Sequence, residues 1–491
     1  MTHAVRCQIF LGVGLMWTSH TCALAQDNVE ALRAELAQMR AEYEARVQKL
    51  EARIAELADE QARATKAAEN AVQMSIENRK LLNEHATTPL FDAVEDQRGK
   101  GFEFHGYLRA GFGLNERGQE QQTFTAPFSL GRYRLGNEPD TYAELVFVQN
   151  WLNPERDENK PWFKTEAMVQ AILAGPENFD QPTDLRLREA FAEAGNLLGG
   201  RWRPMKFWAG SRYYQRQDIH TLDYFFRDMS GIGAGVQEVP VGSASMDVAY
   251  IGSTHPTSSF LESNPPKSTI DVRIGKINVP GGRVAVWYDY AYSKVNQTLN
   301  GVTLPSAHGN AAGVEYRCDE LFGGYNLIAI QAGNGAAANL TPTTQDPTPY
   351  WQESRRFIVT EQAQMEWKNK FSMMPSMVLG WYHTGQPGTG YVRWTAFGAR
   401  PIYHFNKYFS IATDVGFQYT GEYQGKYGGW LRTVAIAPQI SPAPNVFSRP
   451  VLWAFIMYGN WSDTLKGYVG GSTYATRTAG LSAGVQVESW W

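Results

Sequence analysis

The pattern of apolar and polar residues divides the chain into two unlike parts near residue 100. In the first part, residues 26–88 carry apolar side chains spaced alternately three and four apart, beginning at Val29, Leu32 and Leu36. This spacing predicts an amphipathic helix with the seam of a coiled coil. From residue 101 onward the period changes to two, which predicts β-strands with two unlike faces.

The predicted coiled coil contains neither Gly nor Pro between residues 27 and 85. A helix of this length cannot cover its apolar stripe alone, so we expect it to associate with copies of itself. A lone charged helix or a disordered tail is the alternative. Pro89 ends the helical pattern, and residues 89–100 are interpreted as a linker.

The strands of the second part predict a transmembrane barrel over residues 101–491. Near its start Phe104 and Phe112 share one face, and Arg109 lies on the other; near its end Trp490 falls on the polar face and Trp491 on the apolar face. An apolar face toward lipid and a polar face toward a water-filled lumen are typical of outer-membrane barrels.

The length of this segment accommodates about 16–18 tilted strands of roughly ten residues each. Tight turns such as Pro280-Gly281-Gly282 alternate with long polar stretches, which fits short periplasmic turns and long external loops. The alternative fold, a soluble β-sandwich array, would bury its apolar face and would leave the terminal pair of tryptophans unexplained.

Residues 1–25 have the pattern of a secretory signal peptide. Arg6 precedes an apolar run over residues 9–17, and Ala23-Leu24-Ala25 is a small-x-small cleavage site. The alternative is a buried helix of a cytoplasmic protein. Cleavage would leave Cys318 as the one remaining cysteine, so no intramolecular disulfide is expected. We therefore expect an outer-membrane protein of a Gram-negative bacterium, with its coiled coil in the periplasm.

Composition narrows the class of function. The chain is 13% aromatic but only 19% charged, with a net charge of −4, which excludes a polybasic nucleic-acid binder. The histidines show no metal-ligand spacing and no recognisable nucleophile motif. Neither a cofactor nor enzymatic activity is predicted.

Specific motifs resemble the maltoporin family of sugar-specific outer-membrane porins. They run in the family's order over residues 102–491: Phe104-His105-Gly106-Tyr107, Tyr133-Arg134-Leu135-Gly136-Asn137-Glu138, Arg188-Glu189-Ala190, Arg212-Tyr213-Tyr214-Gln215-Arg216, Ser230-Gly231-Ile232-Gly233, Ser448-Arg449-Pro450 and the terminal Trp-Trp. The N-terminal coiled coil resembles that of the sucrose-porin branch. The resemblance implies an 18-stranded barrel, a homotrimer, and facilitated diffusion of oligosaccharides along aromatic residues flanked by charges.

The resemblance also implies which residues touch the sugar. The aromatic path would comprise Tyr107, Tyr142, Phe179, Tyr325, Phe447 and Trp490, with Phe179 supplied by a loop that enters a neighbouring subunit's pore. The polar track beside it would comprise Arg109, Arg134, Glu144, Arg188, Arg216, Asp218 and Asp223.

Phe225 would stand at the constriction, where maltoporins usually have Tyr. The flanking Arg216 and Asp228 match maltoporins. Sucrose porins tend to have Asn at the position of Arg216, Asp at that of Phe225 and Phe at that of Asp228. The predicted pore therefore resembles maltoporins although the N-terminal extension resembles sucrose porins.

Two other functions stay open. An anion-selective, phosphate-type porin can also carry a coiled coil, but it would need a lumen rich in Lys and Arg, and the predicted track has both signs. The coiled coil could also tether the barrel to peptidoglycan or to a periplasmic partner, a role compatible with transport.

Overall fold

The computed structural model describes most of the chain beyond residue 100. The described ranges are 101–154, 157, 160–173, 184–253, 267–293, 297–299, 302–342 and 349–491, together with single residues between 37 and 66 that are helical. The signal peptide, the linker and most of the predicted coiled coil lie outside the described residues. The chain divides into two compact units, residues 1–92 and 93–491. No helix among the described residues is both long enough and apolar enough to span a membrane.

Eighteen antiparallel strands form one closed sheet in the second unit. In chain order they are β1 Phe102–Asn115, β2 Thr141–Leu152, β3 Trp162–Leu173, β4 Asp184–Gly195, β5 Lys206–Arg212, β6 Gly231–Val241, β7 Ala244–Ser253, β8 Lys267–Val279, β9 Gly282–Ser293, β10 Ala307–Leu321, β11 Gly324–Asn334, β12 Arg355–Trp367, β13 Phe371–His383, β14 Val392–His404, β15 Phe409–Tyr423, β16 Lys426–Ile440, β17 Val451–Trp461 and β18 Ala479–Trp490. Each strand pairs with its sequence neighbours, and β1 pairs with both β2 and β18. The predicted barrel is confirmed.

The inward and outward faces follow the predicted alternation. On β1 Phe104 and Phe112 are exposed on the outside, whereas Arg109 is buried on the inside. On β9 Tyr288 is exposed and its neighbour Asp289 is buried. Polar side chains therefore line the interior, as a water-filled lumen requires.

The chain ends close the barrel. The register of β1 with β18 runs from Tyr107 opposite Trp490 to Asn115 opposite Ser482. Beyond it, the backbone N–H of Trp491 donates to the Gly106 carbonyl at 3.2 Å, and the outward ring of Trp491 lies 5.6 Å from that of Phe104. Closure leaves no unpaired strand edge at this seam.

Most of the shortest turns and all of the longest connections lie at opposite ends of the barrel. Turns as short as 242–243, 280–281 and 322–323 lie at the end where β1 begins and β18 finishes, here called the short-turn end. Three long connections at the opposite end are named loop A (residues 116–140), loop B (213–230) and loop C (335–354). Loop B contains paired strands Gln217–Ile219 and Tyr224–Arg227. A second short pair, Gln297–Leu299 with Val302–Leu304, and 3-10 turns at Gly200–Trp202, His220–Leu222, Gly335–Ala337, Trp351–Glu353, Asp463–Leu465 and Ser472–Tyr474 complete the described elements.

Loop B packs against the inner wall of strands β8 to β14. Arg227, fully buried, contacts Asp271 of β8 and Asp289 of β9. On the same short strand, Tyr224 meets Trp394 of β14 edge-to-face, with ring centroids 5.7 Å apart. Near the middle of the loop, the His220 backbone N–H donates to Gln362 of β12 at 2.6 Å. The loop is thus attached to the wall at several points along its length.

Loop A covers the next part of the wall. Its Tyr133 packs on Gly398 of β14 and Gly416 of β15, where an added Cβ would collide with the ring, so glycine makes room for the loop. The backbone N–H of Arg132 donates to Leu222 of loop B at 2.6 Å. The two loops therefore form a continuous inner lining.

Candidate functional site

Four aromatic rings form a continuous row on the lumen side of the barrel. The ring of Tyr142 lies 5.8 Å from that of Tyr107, which stacks nearly parallel to Trp490 at 6.5 Å. Trp490 in turn lies 6.4 Å from Phe447. We call these four residues the aromatic row. They are four of the six residues predicted for the aromatic path.

The strand register explains why these rings meet. Tyr107 on β1 lies opposite Trp490 on β18, and Tyr142 of β2 lies opposite Arg109, two residues along β1. Inward side chains of adjacent strands at the same level stand within reach of one another. Phe447 joins the row from connection 441–450 at the short-turn end.

The other two predicted path residues are not part of this row. Tyr325, on β11, accepts a hydrogen bond from Gln362 Nε2 at 2.7 Å, and the Arg317 guanidinium lies 4.1 Å above its ring. It lines a separate cavity of about 510 Å³ together with Arg216 and Asp218. Phe179 lies outside the described residues.

Arg109 and Arg134 of the predicted polar track are almost completely buried and ion-paired. Arg109 donates to Glu138 at 2.9 Å and to Asp140 at 2.7 Å, while Arg134 donates to Glu138 at 2.9 Å and to Glu488 at 2.8 Å. Their accessible fractions are 6% and 9%. These arginines therefore fix a charged network behind the aromatic row.

Glu488 connects this network to the rings. The Tyr107 hydroxyl donates to Glu488 at 2.8 Å and accepts from Arg134 at 3.0 Å. Arg449 donates to Glu488 at 2.6 Å and covers the Trp490 ring at 4.0 Å. Neither Glu488 nor Arg449 is among the sequence-predicted site residues, although the inward position of the first and the Ser-Arg-Pro motif around the second were signals for them.

A second polar chain runs from Tyr142 toward β4. Tyr142 and Tyr213 both donate to the Glu144 carboxylate, the latter at 3.1 Å. Arg188, which is exposed to the lumen, donates to the Tyr213 hydroxyl at 3.1 Å. The structure thus brings the predicted Glu144 and Arg188 together through Tyr213, a residue the site prediction omitted.

The predicted constriction residues assemble within loop B. The Arg216 guanidinium lies 3.8 Å from the Phe225 ring and 4.1 Å from the Tyr213 ring, so it is held between two aromatic faces. Asp228 approaches it at 3.4 Å. A cation placed in this way gains cation–π as well as Coulomb stabilisation.

The remaining predicted acids and one unpredicted histidine also lie in loop B. The Asp218 side chain is 41% exposed and lies 3.6 Å from His220 Nδ1, and Asp223 lies 3.9 Å from Arg132. The His220 ring contacts those of Phe447 and Trp490 at 5.1 and 6.3 Å. Burial lowers the pKa of His220 below its ordinary value, which favours a neutral imidazole near pH 7. No group of three potential metal ligands occurs within the described ranges.

Comparison with known proteins identifies the family. The family described as LamB porin matches residues 102–491. The chain belongs to the LamB porin family. The resemblance inferred from the motifs is thereby confirmed, and a LamB porin of this architecture is an outer-membrane channel.

Similar solved structures are also porins. They include the OmpF complex of Salmonella typhi with daunomycin (12% identity, TM-score 0.43, 79% of this chain and 97% of that one). A BenF-like porin from Pseudomonas fluorescens Pf-5 has 7% identity and a TM-score of 0.46 over 80% and 99% of the two chains. An anion-selective porin from Comamonas acidovorans has 8% identity and a TM-score of 0.42 over 79% and 99%.

Proposed function

We propose that this LamB porin is sugar-specific and carries out facilitated diffusion of oligosaccharides, maltodextrin-like or sucrose-like, across the outer membrane. The observation that supports the proposal is the aromatic row of Tyr142, Tyr107, Trp490 and Phe447, bordered by charges of both signs. Tyr142, Tyr107 and Trp490 lie on the lumen side of the adjacent strands β2, β1 and β18, and Phe447 joins them from connection 441–450.

The chemistry of a sugar matches this arrangement. A pyranose presents an apolar face of C–H groups and a rim of hydroxyls, which suit an aromatic face and a set of donors and acceptors respectively. Successive rings about 6 Å apart offer several similar, weak contacts rather than one tight site. Transport requires such contacts, because the solute must leave as readily as it enters.

An anion-selective function is the second candidate, and the pairing of lumen charges speaks against it. Arg109 and Arg134 are each bound to two carboxylates, and Arg216 has Asp228 beside it. An anion would have to displace these partners, whereas an anion pore presents uncompensated cations.

The assembly proposed with this function is a homotrimer in which Phe179 of one subunit completes the aromatic path of its neighbour. The N-terminal coiled coil is proposed to lie in the periplasm, where it can bind a periplasmic partner or peptidoglycan. Both proposals rest on the family resemblance and on the apolar seam of residues 26–88.

Planar-bilayer conductance of the purified protein tests the function. Maltotriose and sucrose should block the ion current in a concentration-dependent manner, and the reversal potential in a salt gradient should show weak ion selectivity. A strongly anion-selective current that no sugar blocks would exclude the proposal and support the second candidate.

A further inference from the structure

A second cavity lies at the short-turn end of the lumen, apart from the aromatic row. Its volume is about 620 Å³, within the range of roughly 300–1,000 Å³ that holds small ligands. The ends of β2 to β6 and the turns between them form its wall. The side chains that matter for its chemistry are Asn150, Trp162, Lys164, Glu193, Lys206 and Glu238.

Trp162 supplies an aromatic surface in this cavity. It pairs with Gly195 of β4, where an added Cβ would collide with the indole, so the ring lies across the neighbouring strand. The side chain is half-buried. Within the part of the chain that the structure describes, its indole N–H has no acceptor, so this donor is available to a ligand. The ring is positioned against Gly195 of the neighbouring strand and can stack on the face of a pyranose. The free N–H on its edge can donate to one of the sugar hydroxyls.

Two of the three basic side chains that line the cavity, Lys164 and Lys206, are paired with carboxylates, and the third is Arg203. Lys164 contacts Glu193 at 3.5 Å, and Lys206 donates to Glu238 at 2.8 Å. Each pair therefore presents ammonium donors and carboxylate acceptors side by side without an uncompensated charge. Such a wall suits a neutral polyhydroxyl ligand better than an anion, which would have to compete with the carboxylates.

We propose that this cavity is an accessory carbohydrate site that holds one or two pyranose units on Trp162. The proposal rests on the proposed function, since it requires sugar to pass through the lumen. Sugar held at this site would enter and leave the aromatic row faster through the short-turn end of the lumen. Affinity at the row would not change, because an accessory site alters the entry and exit rates of the same route together.

Sugar-block kinetics on channels inserted in one orientation test the proposal. With maltotriose added at the short-turn end, Trp162→Ala should lower both the association and the dissociation rate through that end by about two- to tenfold. Trp162→Phe, which keeps a ring, should retain most of the rate. Trp202→Ala is the matched control, because Trp202 is exposed in the adjacent connection and does not line the cavity. Unchanged rates in Trp162→Ala would overturn the proposal.

Direct binding separates this site from the aromatic row. In the full-length protein carrying Tyr107→Ala and Trp490→Ala, saturation-transfer NMR should detect weak residual maltotriose binding that Trp162→Ala weakens further. Residual binding that the additional Trp162→Ala change does not weaken would also refute the accessory site. Block that depends on Tyr107 and Trp490 but not on Trp162 leaves the proposed function intact and removes this site. Binding that depends on Trp162 but not on Tyr107 or Trp490 would support the accessory site and contradict the proposed role of the aromatic row.

Discussion

At the residue scale, the aromatic row and the charged network behind it share atoms. The Tyr107 hydroxyl takes part in two hydrogen bonds of the network while its ring stacks on Trp490. One side chain thus combines the surface proposed for sugar with hydrogen bonds that fix its own orientation. Substitutions at this position can separate the two roles.

Tyr107→Ala should weaken sugar block several-fold to about tenfold, because ring contacts contribute ~0.5–1.5 kcal/mol beyond the area they bury. Tyr107→Phe should keep most of the affinity, since the ring stays and Arg134 and Glu488 remain paired with each other. Bilayer titrations with maltotriose measure both. Tyr458→Ala is the control, because Tyr458 is exposed on the outer face of β17. Equal affinity in all three variants would contradict the assignment of the row.

Phe225→Tyr should raise affinity for malto-oligosaccharides modestly, through one added hydroxyl contact worth ~0.5–1.5 kcal/mol. The double variant Phe225→Asp with Arg216→Asn should raise single-channel conductance, because it removes the ring and the cation stacked on it. Sucrose should then enter liposomes faster in a swelling assay. If the double variant conducts like the parent, Phe225 does not lie at the narrowest point.

At the element scale, the loops rather than the strands shape the passage. Loop B is attached along β8 to β14, and loop A continues along β14 and β15. Side chains that remain accessible to the lumen on the opposite side include Tyr142, Glu144 and Arg188, on β2 and β4. The passage is therefore displaced from the barrel axis toward the aromatic row.

Sequence predicted the strands far better than this lining. Alternation has a period of two, so the positions of Phe104 and Arg109 in the chain are enough to assign them to opposite faces. The contact of Tyr133 with Gly416 joins residues far apart in sequence, and no periodic signal accompanies it. For the same reason the family resemblance placed Arg109 and Arg134 beside the sugar, but the sequence did not predict their burial or their ion pairs with Glu138 and Glu488.

Arg227→Met should loosen loop B. The substitution leaves Asp271 and Asp289 buried without their cation, which costs about 3–5 kcal/mol in comparable buried pairs. We expect noisier open-channel current and a lower melting temperature in detergent. Adding Asp271→Asn and Asp289→Asn should restore part of the stability, because no buried charge is then unpaired.

Lys466→Met is the control for this prediction, since it breaks an exposed ion pair with Asp463 and should change neither measurement. A quiet channel of parental stability in Arg227→Met would show that this ion cluster does not hold the loop.

At the scale of the whole molecule, the barrel closes through its own strands. The pairing of β1 with β18 involves only residues beyond 101. Residues 1–92 form a separate compact unit. The two units are therefore expected to fold independently of each other.

Deleting residues 26–88 should leave a trimeric, conducting barrel, because a barrel trimer would be held by contacts between barrel walls. Analytical ultracentrifugation in detergent and single-channel recording measure the two properties. A monomeric product would instead identify the coiled coil as the main source of oligomerisation.

The burial of Arg109 and Arg134 has a consequence for the influence of ionic strength. Mobile ions screen exposed charges, and the Debye length falls from about 10 Å at 0.1 M to about 3 Å at 1 M salt. They cannot enter between Arg134 and Glu488, whose side chains are nearly inaccessible to solvent. Raising the salt concentration should therefore increase the ion current while leaving the half-blocking concentration of maltotriose unchanged. The ion current would then depend on salt concentration, as in any water-filled pore, whereas the affinity for sugar would not.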